Sequence, residues 1–505
     1  MNRLQKRLNA LSPTILSGIR RGIEKESLRA QFSGTLALTP HPEALGSALT
    51  HPHITTDFSE SQLELITGVH SDVNSCLTEL TQIHQHVYRS IGEEMLWVGS
   101  MPCGLPTDET IPLGRYGSSN VGRAKSIYRM GLGHRYGRRM QTISGIHYNW
   151  SMPQVSSEEY FSLIRNFRRH SFVLLYLFGV SPALCTSFVE GRQHQLQVLA
   201  KNTLYMPYAT SLRMGRLGYQ SDAQTALSVS YNSLDNYASS LQEALTKPYP
   251  PYEAIGIRNP GGDYNQLSNT LLQIENEFYG TIRPKRVIHP GERPLHALRQ
   301  RGVEYVEVRC MDLDPFEIIG INAKTIHFLD IFLLHCLLAD SPPDTPEEIA
   351  AIGRNQDRVA SQGREPGLLL ENASGSISLK KWAAEILEEC IPIANALDAA
   401  NLHNPHANAL RAAQDALADP KLLPSARMLQ KMATEFSNSY TGFIKTQSIQ
   451  SRNTLLNLPY PEPMAERFKQ LAQNSVQEQK RIESTDTMPF DIYLKNYLSA
   501  DKLNV

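Results

Sequence analysis

The stretch Gly18-Ile-Arg-Arg-Gly-Ile-Glu-Lys-Glu-Ser-Leu-Arg29 sets two carboxylates two residues apart. On a β-strand successive side chains alternate faces, so Glu24 and Glu26 project together while Ile19 and Ile23 point the other way. Two like charges roughly 7 Å apart repel unless something positive lies between them. A divalent cation with oxygen ligands meets that need. A solvated edge of alternating charge is the plainer alternative for this stretch taken alone.

The arrangement recurs along the chain. Within Thr55–Thr67, Glu64 shares a face with Gln62, and Asp57 lies just ahead of them. In Gln141–Trp150, His147 and Asn149 share a face opposite Ile146, Tyr148 and Trp150. Alternation also predicts strands over Leu271–Tyr279, with Glu275, Glu277 and Tyr279 together, and over Val303–Arg309, with Tyr305, Glu307 and Arg309 together. A strand histidine is commonly a hydrogen-bonded structural residue, and Glu307 with Arg309 could be a plain ion pair. Five such strands without a ligand would nevertheless concentrate negative charge with nothing to offset it. The joint reading is an oxygen-ligand site for more than one cation. Hard oxygen donors, at most one imidazole and no cysteine point to Mg²⁺ or Mn²⁺.

Clustered Mg²⁺ most often serves nucleotide phosphates. Neither G-x-x-x-x-G-K-[ST] nor G-x-G-x-x-G occurs, so the metals and arginines would have to meet the phosphate charge. Arg129, Arg213 and Arg309 are the candidates, with Arg283-Pro-Lys-Arg286 nearby.

Those strands need a scaffold, and composition bounds it. The chain has 505 residues, 20% charged and 41% hydrophobic, ordinary for a globular protein. Lys+Arg (49) and Asp+Glu (50) nearly cancel, leaving no basic field for nucleic acid or an anionic membrane. No segment approaches the roughly 20 apolar residues of a membrane span, and no apolar stretch follows the basic N-terminus as a secretory signal would require. The six cysteines are widely spaced without a Cys-x-x-Cys pair, which suits reduced thiols and a cytoplasmic protein.

Helical apolar spacing runs from about Val73 to Glu94, and Ser156-Ser-Glu-Glu opens a helix to about Phe178. From about Thr325 onward the pattern is overwhelmingly helical. Strands in the first two-thirds and helices in the last third indicate an α+β fold with an antiparallel sheet.

With these residues in order, the chain resembles the proteobacterial type of glutamate–cysteine ligase. The carriers are Gly22–Arg29, Thr55–Glu60, Leu63–Thr67, Tyr116-Gly-Ser-Ser-Asn120, Gln141–Asn149, Ala209-Thr-Ser-Leu-Arg213, Gln273–Tyr279, Ile282–Arg286 and Val303–Arg309, spread over roughly residues 18–320. The resemblance implies a glutamine-synthetase-like fold whose curved antiparallel sheet forms an active-site cup. It implies one ligase unit over 1–505, with a catalytic sheet core over about 12–340 and a helical region over about 341–505.

The implied reaction is ATP-dependent joining of the L-glutamate γ-carboxylate to the L-cysteine α-amine through a γ-glutamyl phosphate. By the same resemblance Glu24, Glu26, Asp57, Glu64, His147 and Glu307 would hold the cations, and Arg129 and Arg309 would meet the transferred phosphoryl group. Arg213 would hold a substrate carboxylate and Asn149 would stand by the glutamate or phosphate. Phe58, Tyr128, Leu132, Gln141, Tyr219 and Tyr279 would form the cysteine pocket. Expected partners are small molecules, without nucleic acid or membrane, and a monomer is the simplest expectation.

Overall fold

The computed structural model describes residues 3–218, 222–225, 227–401 and 404–503. Its main sheet is built from β1 (Arg20–Gln31), β2 (Ile54–Thr56), β3 (Gln62–Ile66), β4 (Glu94–Leu96), β5 (Ile146–Ser151), β9 (Ile282–Lys285) and β10 (Tyr305–Met311). The order is β2-β3-β1-β5-β10-β9, with β4 continuing beside β1, and every pairing is antiparallel. Strands β6 (Ala183–Cys185), β7 (Gln197–Ala200) and β8 (Thr203–Tyr205) form a smaller sheet, and β11 (Leu369–Asn372) with β12 (Gly375–Ser378) a hairpin.

Period-two patterning decides which way the main sheet faces. Ile23, Tyr148, Trp150, Val306 and Val308 are all buried on its apolar side, in the largest hydrophobic cluster of the protein. Helices Val73–Ser90, Ser157–His170 and Ala323–Leu338 supply the other wall of that core. The last of these is apolar nearly all round and accordingly buried. It is fastened to the sheet by Asp330, which accepts from the Tyr148 hydroxyl at 2.7 Å and from Arg21 at 2.9 Å.

Local signals set the boundaries. Ser156 and Glu159 close a reciprocal capping box that starts helix Ser157–His170. The helix expected to run on to Phe178 breaks at Ser171, and a second one, Phe172–Phe178, follows. The helix from Val73 stops at Ser90, short of the expected Glu94; Gly92 takes φ +58°, a left-handed conformation that glycine adopts without strain, and β4 begins two residues later at Glu94. The β11–β12 hairpin interrupts the otherwise helical final third.

Two expectations need correction. Leu271–Tyr279 is not a strand: Glu275–Glu277 forms a 3₁₀ turn. Its carboxylates are buried in opposite directions, Glu275 on Arg293 at 2.6 Å and Glu277 on Arg135 at 2.8 Å, so alternation here reflects two separate anchors and not a pleat. Nor are all six thiols free, since Cys103 and Cys185 are joined as a disulfide across 82 residues, while Cys76, Cys310, Cys336 and Cys390 are free and buried.

Candidate active site

The face opposite the core carries the polar residues. Register sets Glu24 beside His147, Glu26 beside Glu64, and Glu307 between Asn149 and Arg283. Paired residues on neighbouring strands point to the same side, so five adjacent strands deliver these groups to one surface. A register shift in β10 between Val308 and Met311 interrupts its pairing with β5 beside Arg309.

Glu24, Glu64 and His147 each offer a ligand atom within 4.8 Å of the others. His147 lies 3.3 Å from Glu24 through Nδ1 and 3.6 Å from Glu26 through Nε2, while Asn149 donates to Glu24 at 2.8 Å. His147 Nε2 and Asn149 Oδ1 are buried without a hydrogen-bond partner, as donor atoms awaiting a ligand would be. The other Glu26 oxygen accepts from the Gly145 amide at 2.7 Å.

Charge is distributed unevenly across this face. Burial, reinforced by the carboxylates of Glu24, Asp57 and Glu26, holds the Glu64 carboxyl well above the usual carboxylate range. Burial and Asp57 also raise Glu26. Toward β9 the balance reverses. Burial opposes ionisation of Glu307, but Lys285 at 3.2 Å and Arg309 at 2.8 Å outweigh it and hold the carboxyl well below its ordinary value. For Glu24 burial is likewise opposed, by the His147 hydrogen bond and by Lys285, and the net direction is downward.

The arginines approach from different elements. Arg129, on helix Asn120–Tyr136, donates through Nε to the Asp57 carbonyl, and its guanidinium lies over the Tyr116 ring, 4.5 Å from the centroid. Arg309 reaches Glu307 and stands 3.5 Å from His147 Nδ1. Arg213 is buried; it donates to the Arg309 carbonyl at 2.9 Å and lies 3.7 Å from Asp312. Asp312 in turn accepts from Val180, Ser181 and Ser211, which fixes the anchor.

Phe58, Tyr128 and Leu132 belong to one apolar cluster that also takes in Tyr136. Tyr136 packs on Tyr279 with ring centroids 5.6 Å apart, and Gln141 donates to the Tyr279 hydroxyl at 2.7 Å. The described members of the expected pocket thus gather in one region, linked to Tyr279 and Gln141 through Tyr136. Tyr219 lies outside the described residues.

Sequence reasoning left out Lys285, Tyr136, Asp312 and Gly145. The Arg283-Pro-Lys-Arg286 motif held the signal for Lys285: Tyr305 and Glu307 flank it by register and face. Arg283, by contrast, is spent on structure, donating to the Asn276 and Phe278 carbonyls at the 3₁₀ turn.

A family model described as glutamate–cysteine ligase matches residues 4–359. The protein named glutamate–cysteine ligase in Alcanivorax borkumensis is 46% identical over 517 residues, covering 98% of each chain. That of Janthinobacterium sp. (strain Marseille) is 47% identical, covering 96% of this chain and 94% of its own. A crystal structure of glutamate–cysteine ligase from Francisella tularensis in complex with AMP superposes with a TM-score of 0.91 at 36% identity, over 96% of this chain and 98% of that one. With the family model over most of its length, relatives of 46–47% identity over nearly all of it and a matching fold, this chain belongs to the glutamate–cysteine ligase family.

Proposed function

We propose that the polar sheet face is where this ligase binds Mg²⁺ or Mn²⁺ and activates glutamate. The family reaction joins the glutamate γ-carboxylate to the cysteine α-amine with ATP as co-substrate, the first step of glutathione biosynthesis. The observation that carries the metal reading is the convergence of Glu24, Glu64 and His147 within 4.8 Å, with His147 Nε2 lacking a hydrogen-bond partner. Glu26, Asp57 and Glu307 extend the oxygen set on either side. Bound divalent ions would neutralise the crowded carboxylates and polarise the ATP phosphates.

A carboxylate is a poor acyl donor. Its oxygen therefore takes the γ-phosphoryl group of ATP, releasing ADP and leaving a γ-glutamyl phosphate. The cysteine amine then attacks the acyl carbon; the C–O bond to phosphate breaks, and the amine gives up its proton as the amide forms. Both steps gather charge on phosphoryl oxygens, so donors fixed beforehand are the main catalytic device. Arg129 and Arg309 fill that role from two sides of the face. Arg213, held by Asp312, binds a substrate carboxylate, and Asn149 stands by the glutamate or phosphate. The wall of Phe58, Tyr128, Leu132, Gln141 and Tyr279 receives the cysteine side chain and sets it beside the acyl phosphate.

The test has two parts. Phosphate release from ATP in the presence of glutamate should be stimulated by cysteine above other amino-acid acceptors; equal stimulation by another amine would defeat the substrate reading. Glu307→Gln should weaken Mn²⁺ binding, read by electron paramagnetic resonance, with the fold intact. Arg309→Ala should lower kcat roughly 10²–10³-fold, a far larger effect than its change in Mn²⁺ affinity. Near-normal turnover in both variants would overturn the site map.

A further inference from the structure

Behind the sheet, on the far side from the carboxylates, a second group of ligand types meets. His170 ends helix Ser157–His170, and His335 and Cys336 lie near the end of helix Ala323–Leu338. One donor atom from each lies within 4.8 Å of the other two. Asp330, about one and a half turns earlier on the second helix, bonds Tyr148 and Arg21, whose side chains point away from Glu24 and His147. The cluster is therefore separate from the candidate active site.

Its hydrogen bonding is incomplete in an informative way. His335 is fully buried, and its Nε2 lies 2.8 Å from the Glu389 carboxylate. That bond puts the ring proton on Nε2 and leaves a lone pair on Nδ1, which is buried and unpartnered. Nδ1 of His170 is buried and unpartnered too, and the Cys336 sulfur is a free thiol. A carboxylate behind a histidine ring is the usual support of a metal-ligating imidazole. Glu389 is half exposed and His170 is partly accessible, so solvent reaches the edge of the cluster, while His335 and Cys336 are fully buried.

We propose that His170, His335 and Cys336 form a transition-metal site of zinc-like preference, with solvent completing a four-coordinate ion. Two imidazoles and a thiolate select such ions and discriminate against Mg²⁺. Ligands at about 2.0–2.3 Å from an ion stand roughly 3.5 Å apart, so closure takes about an ångström of side-chain movement. Binding displaces the Cys336 thiol proton to buffer.

The full chain, stripped by chelator and kept in excess Mg²⁺, is titrated with Co²⁺. One equivalent should bind with a near-ultraviolet thiolate-to-cobalt charge-transfer band that Zn²⁺ then abolishes. Cys336→Ser should remove the band. Because Cys336 is buried and its variant could misfold, His170→Gln and Glu389→Gln provide a second measure. Each should retain wild-type turnover and bind Co²⁺ roughly 10–100-fold more weakly. Absence of the band in the wild-type protein, its survival in Cys336→Ser, or wild-type affinity in both edge variants would overturn the site.

Discussion

A Cβ on Gly145 would fall 2.0 Å from one Arg213 nitrogen and 2.5 Å from the guanidinium carbon. The Arg213 guanidinium packs directly on this stretch of backbone, while the Gly145 amide serves Glu26. Gly145→Ala must displace this guanidinium from its place between the Arg309 carbonyl and Asp312, or shift the backbone. We expect the KM for the substrate whose carboxylate we assign to Arg213 to rise at least tenfold with a smaller change in kcat, read from steady-state kinetics with each substrate varied; an unchanged KM would count against that assignment. Lys285 makes a related point through charge. It shares Glu307 with Arg309 and also lowers the Glu24 carboxyl, so it competes with any cation for both. Lys285→Met should tighten Mn²⁺ binding in the absence of nucleotide, and weaker binding would exclude this competition.

Among the elements, the strands were the most legible because a period of two leaves little freedom once one face is apolar. Glu24, Glu64, His147 and Glu307 were placed on one surface from alternation alone, and their register bears that out. Alternation failed at Glu275–Glu277, where Arg293 and Arg135, remote in sequence, pull the two carboxylates apart. The Cys103–Cys185 bond was illegible for a similar reason, since no spacing rule links residues so distant. Helix Asn120–Tyr136 shows a tertiary constraint of the same sort. It carries Tyr128, Arg129 and Leu132, and its first residue, Asn120, is held by Asp486, which accepts from the side-chain amide at 2.6 Å and also from the backbone amide. A carboxylate at that end also complements the helix dipole. Asp486→Ala should cost about 1–2 kcal/mol in denaturant unfolding and lower turnover through Arg129. Equal stability with full activity would show that the clasp is idle.

The whole molecule carries a pH liability in a knot of histidines under the C-terminal helices. Burial lowers His41 and His86 to about 4 and His51 to about 3. His51 Nδ1 accepts from the amides of His53 and Ile54, and the His86 ring stacks on Phe468 at 4.9 Å. An unfolded chain takes up these protons near pH 6.5, whereas the folded one resists them. The stability they support is thus present above pH 6.5 and is lost as pH falls toward 4 and below. The Tm should decline across that window, and His51→Asn, which can still accept from the two amides, should flatten the decline. A decline identical to wild type would assign it to other groups.

No described helix is long and apolar enough to cross a membrane. The helices after residue 341 are fastened to the sheet region at scattered points: Gln85 donates to the Pro459 carbonyl, the Ser47 amide to Ser475, and Arg293 to the Tyr497 carbonyl. These ties support reading the chain as a single ligase unit. Asn120 is also held by the Met488 carbonyl, and the Ser118 amide by Glu483. Translation delivers those partners more than 360 residues after the helix they secure. A nascent chain can therefore pair its early strands on the ribosome, but the arginine-bearing helix stays unclasped until residues 483–488 have emerged.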